Sequence, residues 1–107
     1  MPDLMQKKHY YNCLYGFYGK LLTDKQQQIF ELSYYQDWSL GEIAEELHIS
    51  RNAVFDTLKK VENLLEGFEE KLALYAKDKA LQELLKAYES KVNQAGQELI
   101  KKIREME

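Results

Sequence analysis

The chain has 107 residues, of which 45% are hydrophobic and 31% are charged, and its formal net charge is −3. This balance is ordinary for one soluble globular domain, and it does not suggest disorder. No apolar run approaches the roughly 20 residues that a membrane helix needs, and the amino terminus lacks the aliphatic core of a signal sequence. We therefore expect a cytoplasmic protein. The single cysteine, Cys13, agrees with a reducing compartment because it cannot close an intrachain disulfide.

Residues that could carry chemistry are few. The two histidines, His9 and His48, lie far apart and have no cysteine companions, so we expect no metal site. The isolated glycines match no phosphate-binding loop, and no nucleophile with an adjacent base is evident. Cys13 lies among aromatic residues and leucine at helical spacing, which favours a small buried core residue over a reactive thiol. We therefore expect neither an enzyme nor a cofactor.

Helical periodicity extends along almost the whole sequence. The only proline is Pro2, and apolar residues recur with a helical period in every segment. No strand-like alternation with a hairpin turn signal is present. The predicted fold class is all-α. Since no Gly/Ser/Pro linker interrupts the chain, we expect residues 1–107 to form a single domain.

The first two predicted helices precede residue 39. Residues 4–22 carry a broad aromatic stripe, which indicates a packing face. Its members are Tyr11, Leu14, Tyr15, Phe17, Tyr18, Leu21 and Leu22. The second helix is predicted to begin at Thr23, with Gln26 reaching back to complete the cap, and to end near residues 36–39. Trp38, at the following corner, is interpreted as a staple for the core, with an exposed indole that contacts a ligand as the alternative.

Two helix-start signals follow each other closely in SLGEIAEELHISRNAVF, residues 39–55. Ser39 and Glu42 match a capping box, and Ser50 is a second cap only three residues after Leu47. A helix of about eight residues is marginal alone, so it must pack against a neighbour. The three-residue connection forces the next helix to turn sharply, which predicts a helix-turn-helix. The residues expected to pack inside it are Ile43, Ala44, Leu47, Ile49, Val54 and Leu58.

The second helix of this motif leaves polar residues and one aromatic ring facing outward. In a helix-turn-helix, the amino-terminal part of this helix enters the major groove, where arginine pairs with guanine and asparagine with adenine. The helix start also presents amides to a phosphate. The predicted nucleic-acid-binding residues are Ser50, Arg51, Asn52, Phe55, Lys59 and Lys60. The alternative is a solvated polar face, which explains Lys59 or Lys60 more easily than it explains Phe55.

Residues 22–65 resemble the carboxy-terminal, region 4-like domain of bacterial sigma factors, a winged-helix-like class of helix-turn-helix. The matching motifs are LTDKQ, SLGEIA and ISRNAV. With an aromatic helix in front and a charged helix behind, the whole chain resembles the YlxM family of small bacterial helix-turn-helix proteins, which are associated with the signal recognition particle. The resemblance implies a supporting helix at residues 39–47 and a recognition helix from Ser50 to about Lys60. It also implies a DNA-binding regulatory protein linked to that particle.

Two features of the motif depart from a strong DNA-binding domain. His48 stands in the turn where such motifs usually have glycine, and a positive φ there costs roughly 1 kcal/mol. Residues 39–67 also hold six acidic residues against three basic ones, so a monomer should bind nucleic acid weakly, and Asp56 would repel its backbone. Dimerisation would double the contacts. The alternative function is a protein- or RNA-binding accessory factor of the signal recognition particle without sequence-specific DNA binding, in which Phe55 anchors an interface.

After the helix-turn-helix region at residues 23–67, residues 68–107 are predicted to form a long helical extension. Its apolar residues step by four and three along one face, which indicates a pairing seam. The seam residues are Leu81, Leu85, Tyr88, Val92, Ala95 and Leu99. We expect a homodimer through this helix, with packing onto the amino-terminal helix of the same chain as the alternative. Gly96 is expected to mark a bend or a frayed end, at a cost of about 1 kcal/mol against alanine.

Overall fold

A computed structural model describes residues 4–106, which form six α-helices. They are α1 (Leu4–Tyr18), α2 (Asp24–Phe30), α3 (Leu40–Leu47), α4 (Arg51–Leu72), α5 (Leu74–Glu89) and α6 (Gln94–Glu105). A 3₁₀ turn at Gly19–Leu21 follows α1, and a π-helical turn at Glu31–Tyr35 continues α2. The all-α prediction is confirmed. The prediction of a winged-helix-like protein is wrong as regards the wing, since residues 4–106 contain no β-strand that could form one.

The helices fall into two compact units, the first ending at Ala73 and the second beginning at Leu74. The boundary predicted at residue 67 is not a helix end, because α4 continues through Gly67 to Leu72. One glycine costs a helix about 1 kcal/mol, which the burial of α4 outweighs. The helix ends where Ala73 adopts a left-handed conformation, with φ 53°. The single domain predicted for residues 1–107 stays a prediction, and residues 1–3 and 107 lie outside the described part.

In the first unit, α1, α2 and α3 all pack against α4. One cluster of buried residues forms the core of the helix-turn-helix: Ile29, Ile43, Ala44, Val54 and Leu58. Trp38, Leu47 and Ile49 pack against this cluster, as predicted for the staple, for α3 and for the turn. The α4 residues of the core recur at helical spacing, because one stripe of the helix must face three neighbours.

The aromatic stripe on α1 is a packing face over only part of its length. Tyr11, Leu14 and Tyr18 are buried, whereas Phe17 is 42% exposed and Leu21 is 60% exposed. The helix also ends at Tyr18 and not at Leu22, because the chain tightens into the 3₁₀ turn and then extends to reach Thr23. Thr23 and Gln26 form the capping box that the sequence predicts at the start of α2.

The long carboxy-terminal helix predicted from the seam is wrong, because a turn divides the second unit into α5 and α6. Asn93 caps α6 by accepting a hydrogen bond of 3.0 Å from the amide of Gly96. Leu85 and Ile100 are the buried residues of this unit, and Glu89 pairs with Arg104 across the two helices at 2.7 Å. The predicted seam is therefore broken, and its members Tyr88 and Leu99 are exposed.

Candidate nucleic-acid interface

The turn between α3 and α4 has the geometry of a helix-turn-helix. The Ser39 hydroxyl accepts from the Glu42 amide at 3.1 Å, and the Glu42 carboxylate accepts from the Ser39 amide at 3.1 Å. The hydrogen bond from the Ser39 backbone amide, and then hydrogen bonding with the Ser39 side chain, lower the pKa of Glu42 below its ordinary value. Ser50 caps α4 by accepting from the Ala53 amide at 3.0 Å. The predicted capping box and the second cap are both confirmed.

His48 turns the chain between these two helices. Its φ of 57° and ψ of 43° are left-handed, as the sequence predicts for the residue that replaces glycine there. The following amide, of Ile49, donates to the carbonyl of Ala44 at 3.0 Å and so satisfies one of the last carbonyls of α3. The turn therefore sets the direction of α4 relative to α3 through backbone hydrogen bonds and the burial of Val54.

The predicted contact residues lie on the exposed side of α4. Arg51, Phe55 and Lys59 are spaced four residues apart and form one row along the helix. Asn52, Asp56 and Lys60 form the next row, and all six side chains are exposed. Ser50 stands at the start of the helix, where its hydroxyl is engaged by the cap. The face therefore presents two amino-terminal polar residues, then an aromatic ring, then two lysines.

Phe55 and Lys59 form a unit within this face. The Lys59 ammonium lies 5.5 Å from the centroid of the Phe55 ring, within the range of a cation–π contact. The same ammonium lies 3.5 Å from a Glu62 carboxylate oxygen. Phe55 keeps 46% of its surface exposed. An aromatic surface and a cation are thus held together on the outside of α4.

A pocket of about 340 Å³ opens beside this unit, bounded by α1, the π-helical turn and α4. From α4 it is lined by Phe55, Leu58, Lys59 and Glu62. The π-helical turn contributes Ser33 and Tyr34, and α1 contributes Lys7 and Lys8. Helical periodicity predicts the exposure of Phe55 and Lys59 but not the pocket, because periodicity within one helix does not show which other helix lies beside it.

Lys7 and Lys8 are basic residues of this surface that are absent from the predicted contact residues. Lys8 forms an ion pair with Asp37, and the Lys7 ammonium lies 5.9 Å from the centroid of the Tyr11 ring. The adjacent pair of lysines near the start of the chain was the available signal. Only the packing of α1 against α4 shows that these cations belong to the same surface as Lys59.

The carboxylates of α4 are less available to repel an anion than their number suggests. The Tyr34 hydroxyl donates to Glu62 at 2.7 Å, and the Glu62 side chain is only 12% exposed. The Tyr11 hydroxyl donates to Glu66 at 2.5 Å. Burial, and then the hydrogen bond to Glu62, raise the pKa of Tyr34 well above its ordinary value, so this hydroxyl remains a donor.

Three further predictions concern Cys13, a metal site and a membrane-spanning helix. Cys13 is half-buried and not the buried core residue that the sequence predicts, and its sulfur lies 3.5 Å from the Nε2 atom of His9. Within residues 4–106, no three side chains of His, Cys, Asp or Glu converge as a metal site would need. No helix in that range has both the length and the apolar character required to cross a membrane.

Comparison with known proteins agrees with this geometry. The model of the family UPF0122, described as "Putative helix-turn-helix protein, YlxM / p13 like", matches residues 5–106. A UPF0122 protein of Lactococcus lactis subsp. cremoris is 45% identical over 96% of this chain and 92% of its own length. A UPF0122 protein of Thermoanaerobacter sp. is 66% identical over 57% of this chain and 52% of its own length. The chain therefore belongs to the UPF0122 family of YlxM / p13-like helix-turn-helix proteins.

Proposed function

We propose that this protein binds DNA with the exposed face of α4. The observation that carries the proposal is the row of Arg51, Phe55 and Lys59 on the amino-terminal half of a helix that follows a capped helix-turn-helix turn. In this geometry Arg51 and Asn52 reach base edges and Phe55 contacts a thymine methyl group. Ser50, Lys59 and Lys60 contact phosphates, and the amides of the first turn assist them.

The surroundings of α4 support this assignment electrostatically. Lys7 and Lys8 add positive charge beside the face, although the charge of Lys8 is partly neutralised by its ion pair with Asp37. Glu62 and Glu66 are engaged by tyrosine hydroxyls. Asp56 remains an exposed anion within the face. Because phosphate neutralisation dominates affinity, one copy with so few cations binds weakly, and two copies on one duplex give a useful affinity.

We also propose that the protein is a homodimer and acts as a regulator linked to the signal recognition particle. The dimer is supported by the second unit, where Leu85 and Ile100 are the only buried residues within 74–106 and Leu84, Tyr88 and Leu99 are exposed. So small a core needs a further partner surface to be stable. The regulatory link rests on the resemblance to the YlxM family, whose members are associated with that particle.

A salt-dependent titration tests DNA binding. Labelled mixed-sequence duplex DNA is titrated with the purified protein at several salt concentrations, and fluorescence anisotropy is read. We expect log K to fall linearly with log salt, with a slope of about 0.9 for each phosphate neutralised. The double variant Arg51→Ala with Asn52→Ala should lose most of the affinity and keep its fold and oligomeric state, because both side chains are exposed.

The matched control is Lys25→Ala with Gln28→Ala, which removes one cation and one amide from exposed positions of α2. This control should bind duplex like the wild type. Equal binding by the Arg51 and Asn52 double variant would show that α4 is not the recognition helix. No binding by the wild type even at low salt would exclude the DNA-binding function.

A second candidate function is a protein-binding role for the same face, and the exposure of Phe55 favours it. Aromatic residues serve as anchors in interfaces, and the acidic charge of the motif is no obstacle to a protein partner. The titration separates the two functions. If the folded wild-type protein binds no duplex at any salt concentration, the protein- or RNA-binding accessory role for the signal recognition particle is the better assignment.

A further inference from the structure

We propose that the pocket beside Phe55 binds a single unpaired nucleotide, with the base against the aromatic ring and the phosphate on the lysines. The proposal goes beyond duplex recognition, with which it shares Phe55 and Lys59. The other residues that carry it are Lys7, Ser33, Tyr34 and Glu62, none of which belongs to the predicted recognition face. The chemistry of the ligand follows from three properties of the pocket.

The first property is an accessible aromatic surface beside an apolar side chain. Phe55, which is about half-exposed, lines the pocket together with the buried side chain of Leu58. A planar base gains stacking energy on such a ring, and this interaction tolerates every base because each has a π face. An aliphatic ligand would gain apolar contact in this pocket but would not stack on the Phe55 ring.

The second property is an excess of positive charge at the rim. Three lysines, Lys7, Lys8 and Lys59, line the pocket against a single carboxylate, Glu62. Lys59 is held between the Phe55 ring and Glu62, and Lys8 is paired with Asp37. An anionic group is therefore expected close to the aromatic ring, since Lys59 lies over that ring and Lys7 lines the same pocket from α1. A phosphate attached to a base has this arrangement.

The third property is a set of hydrogen-bonding groups and a size that suit one base. Glu62 accepts from Tyr34 at 2.7 Å, and a carboxylate has acceptor capacity for further N–H donors on a base edge. The Ser33 hydroxyl both donates and accepts. The volume of about 340 Å³ lies at the lower end of the range for small-ligand sites, so the pocket suits one nucleotide and not a longer strand segment.

The same chemistry has two sources, a free nucleoside phosphate and an unpaired residue of a nucleic-acid strand. We would record amide NMR spectra of the full chain during titration with AMP, CMP, GMP and UMP, and separately with an unpaired hexanucleotide. Inorganic phosphate is the third titrant. We expect saturable shifts at Ser33, Tyr34 and Phe55. Response to the monophosphates identifies a free nucleotide as the ligand, and response to the hexanucleotide alone identifies a strand.

Variants separate stacking from charge. Phe55→Leu keeps an apolar side chain but should weaken binding by roughly tenfold or more, and Phe55→Trp should restore it. Lys7→Ala should weaken binding several-fold, whereas Lys25→Ala, which removes an exposed lysine from α2 outside the pocket, should leave it unchanged. Thermal melts of each variant check the fold, which exposed positions such as Phe55 should preserve.

Three results would overturn the proposal: no shift at the pocket with any nucleotide titrant, equal binding of inorganic phosphate, or undiminished binding by Phe55→Leu. The duplex titration tests the proposed DNA binding independently of this nucleotide titration. The Arg51 and Asn52 double variant should keep nucleotide binding because neither residue lines the pocket. A wild type that binds nucleotides but no duplex would support the pocket and refute groove recognition, and the reverse result would do the opposite.

Discussion

Individual tyrosines of the first unit hold its helices together through carboxylates of α4. These carboxylates lie on one face of the helix, four and then three residues apart. The pairs are Tyr34 with Glu62, Tyr11 with Glu66 and Tyr18 with Glu69. Each bond to a charged acceptor contributes about 1.5–3 kcal/mol before the exposure of the pair is discounted. Residues that look like a solvated acidic face in the sequence therefore act as tertiary acceptors.

Because these tyrosine hydroxyls are hydrogen-bonded in the folded protein, we expect its free energy of unfolding to fall at alkaline pH. Burial first, and then bonds to Glu66, Glu31 and Glu62, raise the pKa values of Tyr11, Tyr15 and Tyr34 well above their ordinary value. The unfolded chain releases these protons near pH 10 and the folded chain retains them. Stability is therefore complete below about pH 10 and is lost as the pH rises further, at up to about 1.4 kcal/mol per pH unit for each tyrosine.

Urea unfolding across this pH range, followed with tyrosinate absorbance, measures the effect. Tyr34→Phe should lower neutral-pH stability by about 1–3 kcal/mol, since Glu62 loses a donor, and should reduce the alkaline slope. Tyr88→Phe, at an exposed tyrosine of the second unit, provides the comparison for removing a hydroxyl. Stability that stays constant above pH 10 would contradict the role assigned to these bonds.

At the scale of elements, two helical glycines have opposite surroundings. Gly67, within α4, has open space where a Cβ would stand. Gly96, in the first turn of α6, lies so close to Val92 that an added Cβ would be 2.7 Å from the Cβ of Val92. The sequence predicts a cost of about 1 kcal/mol for Gly96 relative to alanine. The structure indicates instead that Gly96 permits the turn between α5 and α6.

We therefore expect a change from glycine to alanine to have opposite effects on stability at Gly67 and at Gly96. Gly67→Ala should raise the free energy of unfolding by up to about 1 kcal/mol, since alanine favours a helix and meets no atom. Gly96→Ala should lower stability despite its better helix propensity, because Val92 must shift. Chemical denaturation of both variants against the wild type measures the two signs. A stabilised Gly96→Ala would show that the turn accommodates the methyl group readily.

At the scale of the whole molecule, buried surface is distributed unequally. Of the fourteen buried hydrophobic residues in the described chain, twelve precede Ala73 and two follow it. The first unit therefore has a core of its own, whereas the second has little more than Leu85, Ile100 and the Glu89–Arg104 pair. Arg104 lowers the pKa of Glu89 by its hydrogen bonds and charge, so this pair persists at neutral pH.

The unequal cores predict the outcome of a truncation. Sedimentation equilibrium of the full chain should give a dimer, and a fragment of residues 1–73 should be a folded monomer with weaker duplex binding. Circular dichroism checks that the fragment is helical. A fragment that remains dimeric would place the interface in the first unit. A full chain that is monomeric at every concentration would exclude the dimer.

The sequence alone determined the local features of this protein. Ser39, Glu42 and Ser50 define their helix starts because capping uses residues within one turn of each other. The turn position of His48 predicts its left-handed conformation, and helical spacing predicts the face of Arg51, Phe55 and Lys59. The all-α class and the family were evident for the same reason, since periodicity and short motifs are written in consecutive residues.

Only the tertiary structure decided which distant residues share a surface. The pairs of tyrosines and α4 carboxylates join residues that are 28 to 55 positions apart in the sequence. Lys7 lines the same pocket as Phe55 and Lys59 although it lies on a different helix. The predicted long helix is divided into α5 and α6 at the turn where Asn93 caps α6 and Gly96 lies close to Val92. Helical spacing fixes the face on which a residue lies, but the packing of one helix on another decides what that face meets.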